Sequence, residues 1–179
     1  MAHRTPLYDW HVAHGARMVD FAGWDMPIQY TSIIEEHQTV RSAAGLFDIS
    51  HMGRLSFGGP GSLDLIQEVY TNNAATMKDF QVRYGLVCNE HGGTHDDVLV
   101  YRWPYGWAMV VNASNRLKVL GVLERAKPRA GGEVQIMDQT LTTGMLAVSR
   151  VGRSISMLEI AAGGVSARCS ADRLARACV

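Results

Sequence analysis

The sequence predicts an α+β fold centred on an antiparallel sheet, and two observations carry that expectation. From Arg83 to Val111 the apolar pattern has the period of strands, and the runs are joined by short glycine- and proline-containing turns, as in a meander. Helical stretches lie before and after this meander without alternating with it strand by strand, which argues against a doubly wound parallel sheet.

In chain order, Thr5 followed by Pro6 reads as a helix start and Gly15 as its stop, giving a short helix over Pro6 to His14 with Leu7, Trp10 and His14 on one face. Ser32-Ile33-Ile34-Glu35 has the form of a capping box, in which each of the two polar side chains satisfies the other's free amide. It predicts a helix to Ala44, ended at Gly45, with Ile33, His37, Val40 and Ala44 spaced for burial. Leu46 to Ser50 and Arg54 to Phe57 read as strands around a His51-Met52-Gly53 turn, and a helix follows from about Ser62 to Tyr70. The meander then runs Tyr84 to Cys88, Asp96 to Trp103 and Trp107 to Val111, with turns at Glu90-His91-Gly92-Gly93 and Pro104-Tyr105-Gly106. A helix from about Ser114 to Ala126 stops at Pro128 and Gly131-Gly132, after which Glu133 to Met137 and Met145 to Val148 are apolar enough to return to the sheet.

Composition narrows the function classes. Lysine plus arginine equals aspartate plus glutamate at 17 each, so no long-range field points to nucleic acid or an acidic membrane surface. Cys88, Cys169 and Cys178 are odd in number and widely spaced, which fits neither a disulfide framework nor a thiolate zinc site and suits a reducing cytoplasm. No stretch approaches the roughly 18 apolar residues of a membrane span, and the first residues lack the apolar core of a secretory signal.

Among chemistry-bearing residues, Asp96 and Asp97 stand out because they are adjacent on a strand. Successive strand side chains point to opposite faces, so Asp97, Leu99 and Tyr101 share one side while Asp96, Val98 and Val100 share the other. One carboxylate is therefore directed inward or into a cleft, where it needs a donor, a ligand or a shifted pKa. The bland alternative is that both merely terminate the strand at the Gly92-Gly93 turn. His91, His95, Asp96 and Asp97 invite a metal reading, but the two histidines straddle a glycine turn, so none of these residues is assigned to a metal. His11 and His14 show no evident carboxylate partner. Gly58-Gly59-Pro60-Gly61 lacks the spacing of a nucleotide-binding loop and reads as an ordinary turn.

The run Met18-Val19-Asp20-Phe21-Ala22-Gly23-Trp24-Asp25-Met26-Pro27, with Tyr30-Thr31-Ser32-Ile33-Ile34-Glu35-Glu36-His37, Val40-Arg41 and Gly45-Leu46-Phe47-Asp48-Ile49-Ser50-His51-Met52-Gly53, resembles the T-protein (aminomethyltransferase) family of the glycine cleavage system. The resemblance continues through Tyr84, Asn89-Glu90, Gly92-Gly93, Asp96-Asp97, Val100-Tyr101 and Val110-Val111-Asn112-Ala113-Ser114-Asn115 to about Val148. It implies an antiparallel-sheet folate-binding domain of the T-protein type, present here incompletely. It also implies an enzyme that passes the one-carbon unit of the aminomethyl group on the lipoyl arm of H-protein to tetrahydrofolate, releasing ammonia and needing no metal. By the same resemblance, Asp97 is the key acidic residue, steadying the positive charge of an iminium-like intermediate, and Tyr84, Asn112 and Met52 line the pterin pocket. His51 reads better as a structural histidine than as a base.

The pattern departs after Thr142-Thr143-Gly144-Met145-Leu146-Ala147-Val148, where the family continues Gln-Gly-Pro and this chain has Ser149-Arg150-Val151. Residues 1–148 are thus expected to be the N-terminal part of the folate-binding region. Residues 149–179, which hold no aromatic side chain, are expected to be an atypical, out-of-frame tail. The glutamate and arginine that anchor the pterin and its tail in the family have no counterpart here. The alternative to a transferase is therefore a non-catalytic fragment that binds folate or H-protein.

Overall fold

The computed structural model describes the backbone of residues 2–150, 153–161 and 175–176, and the side chains of residues 2–149. The chain divides into two compact units. One comprises Met52–Thr140, and the other takes in the described residues up to His51 and from Leu141 onward.

In the Met52–Thr140 unit, five antiparallel strands are ordered β6-β7-β8-β5-β9. They are β5 (Gly53–Gly58), β6 (Val82–Cys88), β7 (Thr94–Trp103), β8 (Gly106–Val111) and β9 (Gln135–Asp138). One face of the sheet is apolar: Leu55 and Phe57 of β5, Val87 of β6, Val98 and Val100 of β7, and Trp107, Met109 and Val111 of β8 are all buried. Two helices cover it. Helix α3 (Ser62–Val69) contributes Leu65, Ile66 and Val69, and α4 (Arg116–Ala126) contributes Val119, Leu123 and Ala126, the one-turn spacing that aligns side chains on a single helical stripe. Helix α4 starts two residues later than the sequence suggests because Ala113–Asn115 form a 3-10 turn.

Strand β6 lies at the sheet edge, where unpaired backbone groups invite wrong pairing. The segment after α3 covers that edge. Thr71 exchanges two hydrogen bonds with Leu86, Tyr70 donates its hydroxyl to the Arg83 carbonyl at 2.8 Å, and Asn72 donates to the Tyr84 carbonyl at 3.2 Å. Tyr70 can lie so close only because Gly85 has no side chain; a β-carbon there would clash with Cε2 of the Tyr70 ring.

The second unit holds two smaller sheets. In the first, β1 (His3–Arg4) runs parallel to β3 (Trp24–Gln29), and β3 pairs with β2 (Arg17–Phe21). Strands β2 and β3 went unread in the sequence. Their turn is Ala22-Gly23, both at positive φ (51° and 81°), the two-residue turn whose twist matches a hairpin. Alanine there hides the usual Asn-Gly signal. In the second sheet the order is β11-β10-β4-β12, from β4 (Ala44–Asp48), β10 (Thr143–Arg150), β11 (Arg153–Ala161) and β12 (Ala175–Arg176). Met145 to Val148 therefore joins β4 rather than the meander, and the strands on either side of His51 enter different sheets. The expected tail, residues 149–179, falls mostly outside the described residues, apart from the end of β10, β11 and β12.

In both early helices the buried side chain is polar, and in the second it lies off the face spaced for burial. Helix α1 (Tyr8–Ala13) leaves Trp10 42 % exposed and buries His11. Helix α2 (Ile33–Ser42) leaves Ile33 and Ile34 in solvent and buries Glu36. The cap explains the inversion. Ser32 accepts the Glu35 amide at 3.2 Å as expected, but Glu36 makes the reach back, its Oε1 accepting the amides of Tyr30 and Thr31 at 2.7 and 2.9 Å. His11 has a carboxylate partner after all, 37 residues away: Nε2 lies 2.9 Å from Asp48 Oδ2, and Nδ1 lies 2.6 Å from the Tyr30 hydroxyl.

Burial pushes the Asp48 carboxyl up, but hydrogen bonds from His11 and Ser50 outweigh it and hold the group below its ordinary value of 3.8. A carboxyl lowered in the folded state stabilises fully above its unfolded pKa, and that contribution fades as pH falls from about 4 through the folded value. Thermal melts taken from about pH 6 to about pH 3 are expected to show part of the acid sensitivity disappearing in Asp48→Asn. Gly85→Ala is expected to cost about 1–3 kcal/mol in urea unfolding, since the new methyl displaces Tyr70 from the edge it protects.

Candidate functional site

The register of the five-stranded sheet aligns the candidate residues. Leu86 of β6 faces Asp97 of β7, Leu99 faces Val110 of β8, and Gly53 of β5 faces Val111. Continuing the last two registers past the ends of β8 and β5 sets Asn112 opposite Asp97 and Met52 opposite Asn112. Leu86, Asp97, Asn112 and Met52 thus form one row across the end of the sheet. Tyr84 lies two residues further in along β6, opposite Leu99 on the same face, and is 58 % exposed. This face is the one opposite α3 and α4; Asp97 and Tyr84 are exposed on it, whereas the facing pair Val110 and Arg54 is buried.

The two aspartates divide as strand alternation requires. Asp96 is 3 % exposed and shares the helix-covered face with Val98 and Val100, whereas Asp97 is exposed on the open face. The inward carboxylate is fully occupied. Its Oδ2 accepts the Asn112 backbone amide at 2.8 Å, and its Oδ1 accepts Nδ2 of Asn112 at 2.9 Å and Nδ2 of Asn115 at 2.6 Å. Such charge-assisted bonds offset the cost of desolvating the group.

Asp97 has one side-chain donor, Nδ2 of Asn112, at 2.8 Å; the same nitrogen lies 3.2 Å from the Asp97 carbonyl. A single carboxamide therefore bridges the buried and the exposed aspartate. What this can do chemically is present one carboxylate, held by a single carboxamide, at an exposed position of the sheet. That suits recognition of a planar cationic or N–H-bearing group.

Of the residues singled out in the sequence, Asp97, Asn112 and Met52 fall in one row and Tyr84 beside it. Asn115 and the anchoring of Asp96 were missed. The signal for them was present: the turn that pairs Trp103 with Gly106 sets Asp97 opposite Asn112, and an amide three residues further on, in a tight turn, points back at the strand. His91, His95, Asp96 and Asp97 do not converge. Among the described residues, no three histidine, cysteine, aspartate or glutamate side chains are grouped for a metal ion. His51 is buried with its ring edge-on to Phe21 at 5.3 Å, and both belong to the unit that does not contain Asp97.

The two aspartates should respond oppositely to truncation. Asp96→Ala strands three buried or half-buried N–H donors and is expected to cost about 2–4 kcal/mol, while Asp97→Ala should change stability by about 0.5 kcal/mol or less; chemical unfolding of both variants checks the contrast.

Comparison with known proteins shows the family. Residues 7–150 match the family model described as GCVT N-terminal domain. Aminomethyltransferase of Symbiobacterium thermophilum is 48% identical over a region covering 81% of this chain and 39% of the relative. Aminomethyltransferase of Rubrobacter xylanophilus is 44% identical over 92% of this chain and 44% of its own length. The crystal structure of glycine cleavage system aminomethyltransferase T from Bartonella henselae superposes with a TM-score of 0.78 at 33% identity, covering 84% of this chain and 41% of that one. The chain spans about two-fifths of the length of these relatives. With ordered sequence identity, a matching fold and a match across most of its residues, the chain belongs to the aminomethyltransferase family, through the GCVT N-terminal domain.

Proposed function

We propose that this chain supplies the folate-facing carboxylate of an aminomethyltransferase of the glycine cleavage system. In that role it takes the one-carbon unit from the aminomethyl-lipoyl arm of H-protein to tetrahydrofolate and releases ammonia. The observation that supports this most is Asp97, an exposed carboxylate held by Asn112 on the open face of the sheet.

Each residue has a definable task. Asp97 accepts an N–H of the folate amine and, being anionic, lowers the energy of positive charge that develops as the carbon changes partners. Asn112 fixes the Asp97 rotamer, so little reorganisation is needed when that charge appears. Tyr84 offers a ring face to the flat pterin, and Met52 a polarizable wall on the far side of Asn112. No metal enters this scheme. The free thiol of Cys88 fits a reducing cytoplasm as the working compartment. Among the described residues no helix is long and apolar enough to cross a membrane, and folate and the lipoylated H-protein are the partners this reading requires.

A second reading is favoured by the length of the match: a chain covering two-fifths of its relatives acts as a folate-binding or H-protein-binding fragment without turnover. One pair of measurements separates the two. The chain is titrated with tetrahydrofolate, and methylenetetrahydrofolate formation is followed with aminomethylated H-protein. Transfer by the wild-type chain, reduced about a hundredfold or more in Asp97→Asn without loss of fold, is the expected result. Binding without transfer leaves the fragment reading, and absence of folate binding removes the folate-facing role altogether.

A further inference from the structure

We infer that Asp96, clamped by Asn115, is a positioning residue that sets the Asn112 carboxamide and, through it, the Asp97 carboxylate. The functional half of this inference rests on the proposed folate-facing role of Asp97. Neither Asp96 nor Asn115 faces the open side of the sheet alongside Asp97, so neither is a candidate to touch substrate.

The geometry leaves Asn112 no choice of orientation. On one side of its carboxamide lie Asp96 Oδ1 at 2.9 Å, Asp97 Oδ1 at 2.8 Å and the Asp97 carbonyl at 3.2 Å, all acceptors. Only the NH2 end can face them, one hydrogen directed to the buried carboxylate and the other toward Asp97. The Asn112 backbone amide is held by the same buried group, through Oδ2. Asp96 thus fixes both the main chain and the side chain of the residue that holds Asp97.

Asn115 completes the clamp. Its Nδ2 donates to Asp96 Oδ1 at 2.6 Å, from the last position of the 3-10 turn before α4. It makes no hydrogen bond to Asp97. Its backbone amide also donates to the Asn112 carbonyl at 3.0 Å, a bond that substitution by alanine leaves in place, so the influence of the Asn115 side chain on Asp97 travels through Asp96 and Asn112. A carboxylate used only to cap the turn would not need the donor it caps to be shared with a second carboxylate on the other face.

The test uses the full 179-residue chain and reads the sites directly by NMR: the two Asn112 side-chain N–H signals and the Asp97 carboxyl carbon. Asn115→Ala keeps two of the three bonds to Asp96 and so preserves the fold, while Asp96→Asn puts donor against donor. In both variants the Asp97 carbon signal should shift, and the Asn112 side-chain protons should exchange about tenfold faster or more. Tetrahydrofolate affinity should fall about tenfold in Asn115→Ala. If Asn115→Ala lowers the melting temperature yet leaves the Asp97 and Asn112 signals in place, Asp96 is a turn cap and the positioning role is overturned. If the signals move while tetrahydrofolate affinity does not, or if the wild-type chain binds no tetrahydrofolate, the positioning stands and the folate-facing reading of Asp97 falls.

Discussion

A charged carboxylate set among valines is the constraint on which the Met52–Thr140 unit depends. Asp96 lies in the layer that the helices cover, and its three hydrogen bonds all come from residues between β8 and α4. That arrangement ties the end of one strand to the start of its neighbour and fixes where the chain leaves the sheet to become a helix. Helix α4 then lies against β7, where Val119 and Leu123 help close the core. An apolar residue at position 96 would pack as well, but it would leave the turn's amides without partners and the direction of exit unspecified. The charge contributes geometry more than energy, since its desolvation cancels much of what its bonds supply.

The same logic appears independently in the other unit. Asp48 is buried and receives His11, which in turn meets the Tyr30 hydroxyl, so one carboxylate links α1, the residue after β3, and β4. Glu36 does similar work at the start of α2, holding the backbone of Tyr30 and Thr31. Among the described residues, three acidic side chains buried at 8 % exposure or less thus organise loops and helix ends, while the apolar core cluster fills only one face of one sheet. A fold assembled from short elements, several of six residues or fewer, gains little fixed orientation from hydrophobic burial alone, which is non-directional. Directional bonds to buried carboxylates supply what is missing.

This division also explains what could be read in the sequence. The meander, α3 and α4 were legible because period and turn chemistry are local properties, and strand alternation alone assigned Asp96 and Asp97 to opposite faces. The β2–β3 hairpin was not, because Ala22 adopts a left-handed conformation that only its surroundings can enforce. Apolar spacing does not give the buried face of α2, and it says nothing of His11 in α1, because each helix buries a polar residue, His11 or Glu36, whose partners lie outside that helix. Asp48 could not be matched to His11 from spacing, since 37 residues and two strands intervene. The candidate site was half legible for the same reason: the residues on the open face carry recognisable types, but Asn115 acts through a contact that exists only once the register is set.

Register is what joins the two kinds of information. In an antiparallel pair the sum of facing residue numbers is constant, so the single turn that pairs Trp103 with Gly106 already determines that Asp97 lies opposite Asn112. A slip of one residue would invert every side chain, sending Asp97 into the core and Asp96 to solvent. Both errors are costly: Asp97 would be buried beneath the helices with no donors arranged for it, while Asn112 and Asn115 would point at a valine. The adjacent aspartates therefore act as a check on the register, because only one alignment gives the buried one its three donors and leaves the other on the open face. The pair that carries the proposed chemistry and the pair that specifies the sheet are the same two residues, which ties the exposure of Asp97 to the satisfaction of Asp96.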